Sequence, residues 1–157
     1  MQDLLAAIDH LYEIAAFAAV LLVCAVALVF GDKPIRLAGA VQLADVFIIA
    51  TVSTLLDPRD ELGLMHGKSL IVLLAYVVLM FLWRDRYLVV LTGLQGFAVL
   101  VHFSDLIDPS VQWPINRLLL NLTGWSMLGV LAIAAGAHLL DRLDARGLKA
   151  SRVPGKD

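Results

Sequence analysis

The sequence predicts an all-α, polytopic membrane helical bundle. Of its 157 residues 61% are apolar and only 17% charged, and the apolar residues gather into five runs separated by short polar turns. An ordinary soluble domain is roughly 45–50% apolar and about 25% charged, and one of this size still exposes about a third of its unfolded surface. In water this chain would have to display large contiguous apolar patches, so lipid is the fitting solvent. The same figures exclude other classes. High hydrophobicity argues against disorder, the single cysteine (Cys24) against a disulfide scaffold, and a net charge of −2 against a nucleic-acid partner.

A helix needs about 20 mostly apolar residues to cross roughly 30 Å of hydrocarbon, where only its own hydrogen bonds satisfy the backbone. The first run is Leu11 to Phe30. It follows the acidic start Met1-Gln2-Asp3, with no basic leader and no cleavage signal after it, and is expected to be retained as a span. The second, Leu37 to Leu56, has ten Leu, Ile, Val and Phe residues but also Asp45. Those ten favour insertion by about 3–6 kcal/mol and one central carboxylate costs about 2.5–3.5, so this span is marginal alone and needs sheltering neighbours. The third run ends at Trp83. Only 15 residues lie between Lys68 and Arg84. They make about 22 Å of helix, so this span must begin earlier and hold His66 and Lys68 in its first turns, with Lys68 snorkelling to the interface. Tyr87 to Ile107 and Ile115 to Leu140 complete the five transmembrane helices.

Five crossings put the N-terminus, the second loop and the fourth loop on one side, with Arg59, Lys68 and Arg117, and leave nine basic residues on the other. That 9:3 excess predicts the N-terminus outside and the C-terminus cytoplasmic. Four crossings would split the basic residues 7:5 and lose the bias. The organisation expected is one transmembrane domain, 1–140, and a basic cytoplasmic juxtamembrane tail, 141–157. In the tail Arg142, Arg146 and Lys149 recur at helical spacing and are assigned to lipid headgroups as a weak interfacial anchor. Two turns share a pattern, Leu55-Leu56-Asp57-Pro58 and Leu106-Ile107-Asp108-Pro109. Asp is a good N-cap and Pro a good first helical residue, so each Asp-Pro is expected to start the next helix. The 51-residue spacing also hints at a duplicated helix pair.

From Arg84 onward the layout is a basic-aromatic turn (Arg84-Asp85-Arg86-Tyr87), a helix with Gln95 and His102, an Asp-Pro turn, and a last helix with Trp125 and many small residues. It resembles a loose group of small, uncharacterised multi-pass bacterial inner-membrane proteins. The resemblance implies that location and architecture and supplies no catalytic residue.

Asp45 is the most informative position, since an ionisable group inside a span must be neutral, paired or hydrated. Gln42 lies one turn earlier on the same face, and Thr92, Gln95 and His102 share a stripe of the fourth span. Asp45, Gln42, Gln95, His102 and Asn121 therefore define a polar seam. It can pass protons or small ions, or it can be a hydrogen-bonded pin, Asp45 to a Gln, Thr or Asn such as Asn121, that fixes helix register. On the outer rim, His10, Glu13, His66, His102 and Asp105 are candidate metal or haem ligands, with His-x-x-acid spacing at His10/Glu13 and His102/Asp105. His138/Asp141 repeats the spacing at the other end, where it cannot join that site.

Tyr12, Trp83, Tyr87 and Trp113 fall at span ends and are expected in the headgroup layer, while Trp125 lies deeper and needs an acceptor for its indole N–H. Gly93, Gly96, Gly124, Gly129 and Gly136, with Ala132 and Ala135, are expected to permit close helix contacts. Cys24 reads as a small hydrophobe. No phosphate-cradling loop, His-Glu-x-x-His, Cys-x-x-Cys or nucleophile elbow is present, so no enzyme chemistry and no cofactor is called for. The leading expectation is an accessory or scaffold subunit of a larger membrane complex or a homo-oligomer, with the lipid bilayer as its other partner. The alternatives are a proton- or small-ion-conducting protein built on Asp45, Gln42, Gln95 and His102, and a periplasm-facing metal or haem site.

Overall fold

The computed structural model describes residues 2–55, 58–107 and 113–150. They form α1 (Gln2–Phe30), α2 (Lys33–Leu55), α3 (Pro58–Trp83), α4 (Arg86–Ile107) and α5 (Trp113–Ala150), with no strand among them. Consecutive helices pack against one another, α5 returns to pack on α1, and α2 also touches α5 across the bundle. The arrangement is a closed ring of five helices.

The two described turns show why the helices end where they do. At the first, the Gly31 N–H bonds the Ala27 carbonyl at 3.0 Å, and Asp32 then caps α2 by accepting the Ile35 N–H on Oδ1 at 3.1 Å. Arg36 reaches back to donate to the last carbonyls of α1, Gly31 (2.9 Å) and Val29 (3.2 Å). Its charge also suits the negative end of that helix. Gly31 is required by space: a Cβ there would collide with the Ala27 carbonyl oxygen and the Ile35 side chain. At the second turn Arg84 closes α3 with φ 54°, its N–H on the Met80 carbonyl at 2.8 Å. This is the left-handed cap that glycine usually supplies. As the Asp-Pro pattern predicts, α3 begins at Pro58; the second Asp-Pro lies outside the described residues.

Four helices are long and apolar enough to cross a membrane, over Lys33–Thr51, His66–Trp83, Arg86–Ser104 and Ile115–Ala145, and α1 carries a shorter apolar stretch, Ile14–Phe30. The surface has the polarity of a membrane protein. Leu22, Ile71, Leu74, Phe81, Leu100 and Ile133 are each more than 60% exposed, while Gln42, His66, Lys68, Ser69, Gln95, Asn116 and Thr123 are buried. Apolar side chains outside and polar ones inside cost nothing in hydrocarbon and a great deal in water.

The core is built on Tyr76, Leu88, Leu91, Leu131 and Cys24, with Ala27, Ala38 and Ala135 fully buried where helices approach. Cys24 packs as the small hydrophobe expected. The glycines do not behave as expected: Gly93, Gly124, Gly129 and Gly136 have open space where a Cβ would stand, and Gly96 meets only Leu73. Close approach falls instead to Gly39, where a Cβ would stand 3.0 Å from the Ala27 Cβ. The spacing of small residues gives a face, and only the packing says whether a neighbour occupies it.

The segment after Leu140 is a direct continuation of α5, which runs unbroken to Ala150. At 1.5 Å per residue a helix of 38 residues is about 57 Å long, well over the roughly 30 Å that a membrane span requires. Of the headgroup candidates, Arg142 is exposed there, and the side chains of Arg146 and Lys149 lie outside the described set. Trp83 at the end of α3 and Tyr87 at the start of α4 hold the helix-end positions expected of them and pack partly against the core, and the Tyr87 hydroxyl is enclosed without a hydrogen-bond partner.

Candidate functional site: a polar layer across the helix hairpins

Asp45 sits near the middle of α2, 12 residues after Lys33 and 10 before Leu55, or about 18 Å and 15 Å along the helix. Its partner is Lys68. The Lys68 Nζ lies 2.6 Å from Asp45 Oδ1, and the two side chains are only 9% and 14% exposed. Asp45 Oδ1 has no hydrogen-bond partner of good geometry, so the contact is a Coulombic pair. The snorkelling expected of Lys68 is therefore corrected: its ammonium turns inward. A lysine can snorkel only if its helix presents it to lipid, and here α3 presents it to α2.

The pairing follows from hairpin register. Asp45 stands 10 residues before the end of α2 at Leu55, and Lys68 stands 10 after the start of α3 at Pro58. Two antiparallel helices joined by a short turn bring residues of equal arm length to one level. One turn deeper, the Tyr76 hydroxyl donates to Gln42 Oε1 at 3.0 Å and reaches the Ala38 carbonyl at 3.4 Å. Gln42 thus shares the α2–α3 interface with Asp45, as their common face predicts.

Gln95 and His102 meet the other side of α3. Gln95 Nε2 donates to the Ser69 carbonyl at 3.2 Å. His66 Nε2 lies 2.7 Å from the His102 carbonyl, and the two rings stand edge to face with centroids 5.8 Å apart. A carbonyl oxygen only accepts, so His66 Nε2 carries the proton in this contact and is not available as a metal ligand through that atom. Thr92, on the same stripe, returns its hydroxyl to the Leu88 carbonyl at 2.7 Å within α4.

The predicted seam is therefore two half-seams joined by α3. Asp45 and Gln42 lie on the α2–α3 side, Gln95 and His102 on the α3–α4 side, and Asn121 is not with them: it is exposed on α5. The pin from Asp45 to Asn121 is not formed. Lys68, Ser69 and Tyr76 supply the partners, and counting outward from the turn between α2 and α3 was the signal that could have found Lys68.

At the end of the bundle formed by the α2–α3 and α4–α5 connections, Asn116 Nδ2 approaches Ser104 Oγ at 3.4 Å, and deeper in the bundle the Trp125 indole N–H donates to the Tyr12 hydroxyl at 2.7 Å. The acceptor that Trp125 requires is thus on α1. The side chains of His10, Glu13 and Asp105 lie outside the described residues. Among the described residues no group of three or more His, Cys, Asp or Glu is placed to hold a metal ion.

Fold, surface and polar layer together define a class: a small all-helical bundle with the apolar helices of an integral membrane protein. Comparison with protein-family models, with curated proteins and with solved structures gives no match to the chain.

Proposed function

We propose that the chain is a five-span inner-membrane protein, N-terminus outside and C-terminus cytoplasmic, that acts as an accessory or scaffold subunit in a larger membrane assembly or a homo-oligomer. The observation that carries this reading is Asn121, an amide on the exposed face of α5, with Gly129 and Ala132 exposed two and three turns further along. In hydrocarbon such an amide is best satisfied by a second helix, and small residues let that helix come close. The polar layer supports the same reading: Asp45, Gln42 and Gln95 spend their polar atoms on neighbours within the chain, which braces the bundle. With Lys68 withdrawn into the bundle, the basic residues outside it divide 9:2 rather than 9:3, which favours the proposed orientation more strongly.

The test is association of the full chain in liposomes, read by energy transfer between labelled copies and by native mass spectrometry after gentle extraction. Asn121→Leu is expected to weaken association about three- to twentyfold, the equivalent of roughly 0.6–1.7 kcal/mol for one interhelical hydrogen bond. A strictly monomeric particle that retains no partner rejects the reading.

A second reading, proton or small-ion conduction through Asp45, Gln42, Gln95 and His102, is favoured by one observation. The Asp45–Lys68 pair puts two titratable groups at mid-depth of the α2–α3 hairpin. Flux into liposomes should then fall with Asp45→Asn; equal flux in both proteins, or none in either, removes it.

A further inference from the structure

At the end of the bundle opposite Asn116 lies an open groove of about 600 Å³, lined by Gly31, Asp32, Lys33, Arg36, Leu37 and Arg142. We propose that this groove binds the phosphate of an anionic phospholipid. Its cations come from two separate parts of the chain, Lys33 and Arg36 from the start of α2 and Arg142 from the far end of α5. Three cations stand against one carboxylate, and Asp32 already uses Oδ1 to accept the Ile35 N–H. The excess charge of the groove is positive.

Two of these side chains are held in place before any ligand arrives. Arg36 is fixed by its bonds to the Gly31 and Val29 carbonyls, and Lys33 Nζ lies 5.9 Å from the Trp83 ring centroid, within cation–π range. Fixed donors bind with less entropic loss than free ones.

The choice of a lipid over a soluble phosphate comes from what borders the groove. Lys33 is the first residue of a span-length apolar helix, so the cations stand at headgroup level. On the membrane side of them Phe30, Leu37 and Leu140 are exposed, at 42%, 37% and 63%. A phospholipid fits both parts at once, its phosphate among the cations and its acyl chains along those three residues. Basic clefts between helix ends are a recurring setting for anionic lipid headgroups.

The test uses the full chain and two defined lipids, phosphatidylglycerol and phosphatidylcholine, with retained lipid counted by native mass spectrometry. Phosphatidylglycerol should be kept in preference. Each basic residue lost near the headgroup should weaken retention about fivefold, so Lys33→Gln with Arg142→Gln should lower it about 25-fold. Arg86→Gln, at the same end but outside the groove, should change it less than twofold. Arg142→Gln alone, a single exposed change, should give the fivefold step if the double variant does not fold. Equal losses from Arg86→Gln and the groove variants, equal retention of phosphatidylcholine, or displacement of the lipid by millimolar inorganic phosphate would each overturn the proposal. The last of these outcomes would mark the groove as a soluble-phosphate site.

Discussion

Replacing Lys68 by methionine keeps the length of the side chain and removes its charge, leaving Asp45 buried without a counter-ion. At 2.6 Å and an effective dielectric of about 20, the attraction lost is about 6 kcal/mol. Desolvating two ions costs several kcal/mol each, so most of that attraction only offsets burial. The informative quantity is therefore the asymmetry between single and double variants. Lys68→Met and Asp45→Leu should each destabilise the bundle by about 3–5 kcal/mol, because each strands one charge. The double variant, in which both charges are gone, should lie within about 2 kcal/mol of the native protein. Reversible unfolding in bicelles, measured on all four proteins, checks this. The reasoning fails if either single change costs under about 1 kcal/mol, which would mean that the pair is hydrated, or if the two costs simply add.

Other consequences are smaller. Tyr76→Phe removes the hydroxyl that donates to Gln42 and should cost about 1–2 kcal/mol in the same unfolding measurement, with the fold unchanged by circular dichroism. Gly31→Ala forces a Cβ against the Ala27 carbonyl and the Ile35 side chain and should cost about 1–3 kcal/mol, whereas Gly93→Ala, at an open position, should be neutral or slightly stabilising. Arg84→Gly should raise stability by about 1 kcal/mol, since φ 54° carries a penalty for any residue with a Cβ; an unchanged or lowered unfolding midpoint would contradict the strain assigned to that turn.

How much of this was legible beforehand depends on whether the cause is local or shared between helices. The all-helical class, four apolar helices of span length, the start of α3 at Pro58 and the common face of Gln42 and Asp45 all follow from composition, from Asp-Pro capping and from helical period. These are properties of one segment in its solvent. Lys68 shows where that stops: seen alone, a lysine in the third turn of an apolar helix should reach for water, and only α2 beside it makes the inward rotamer the better one. Tyr76 with Gln42, and Gln95 with the Ser69 carbonyl, depend likewise on which face of α3 each neighbour takes.

Composition and periodicity, then, determined by themselves that this chain folds as apolar helices, because the cost of an unsatisfied amide in hydrocarbon acts on every residue alike. Tertiary structure alone decided which polar groups meet, that Asn121 faces outward, and that Lys33, Arg36 and Arg142 converge on one groove. Those outcomes depend on helix rotation and register, which are set by packing between segments distant in the chain.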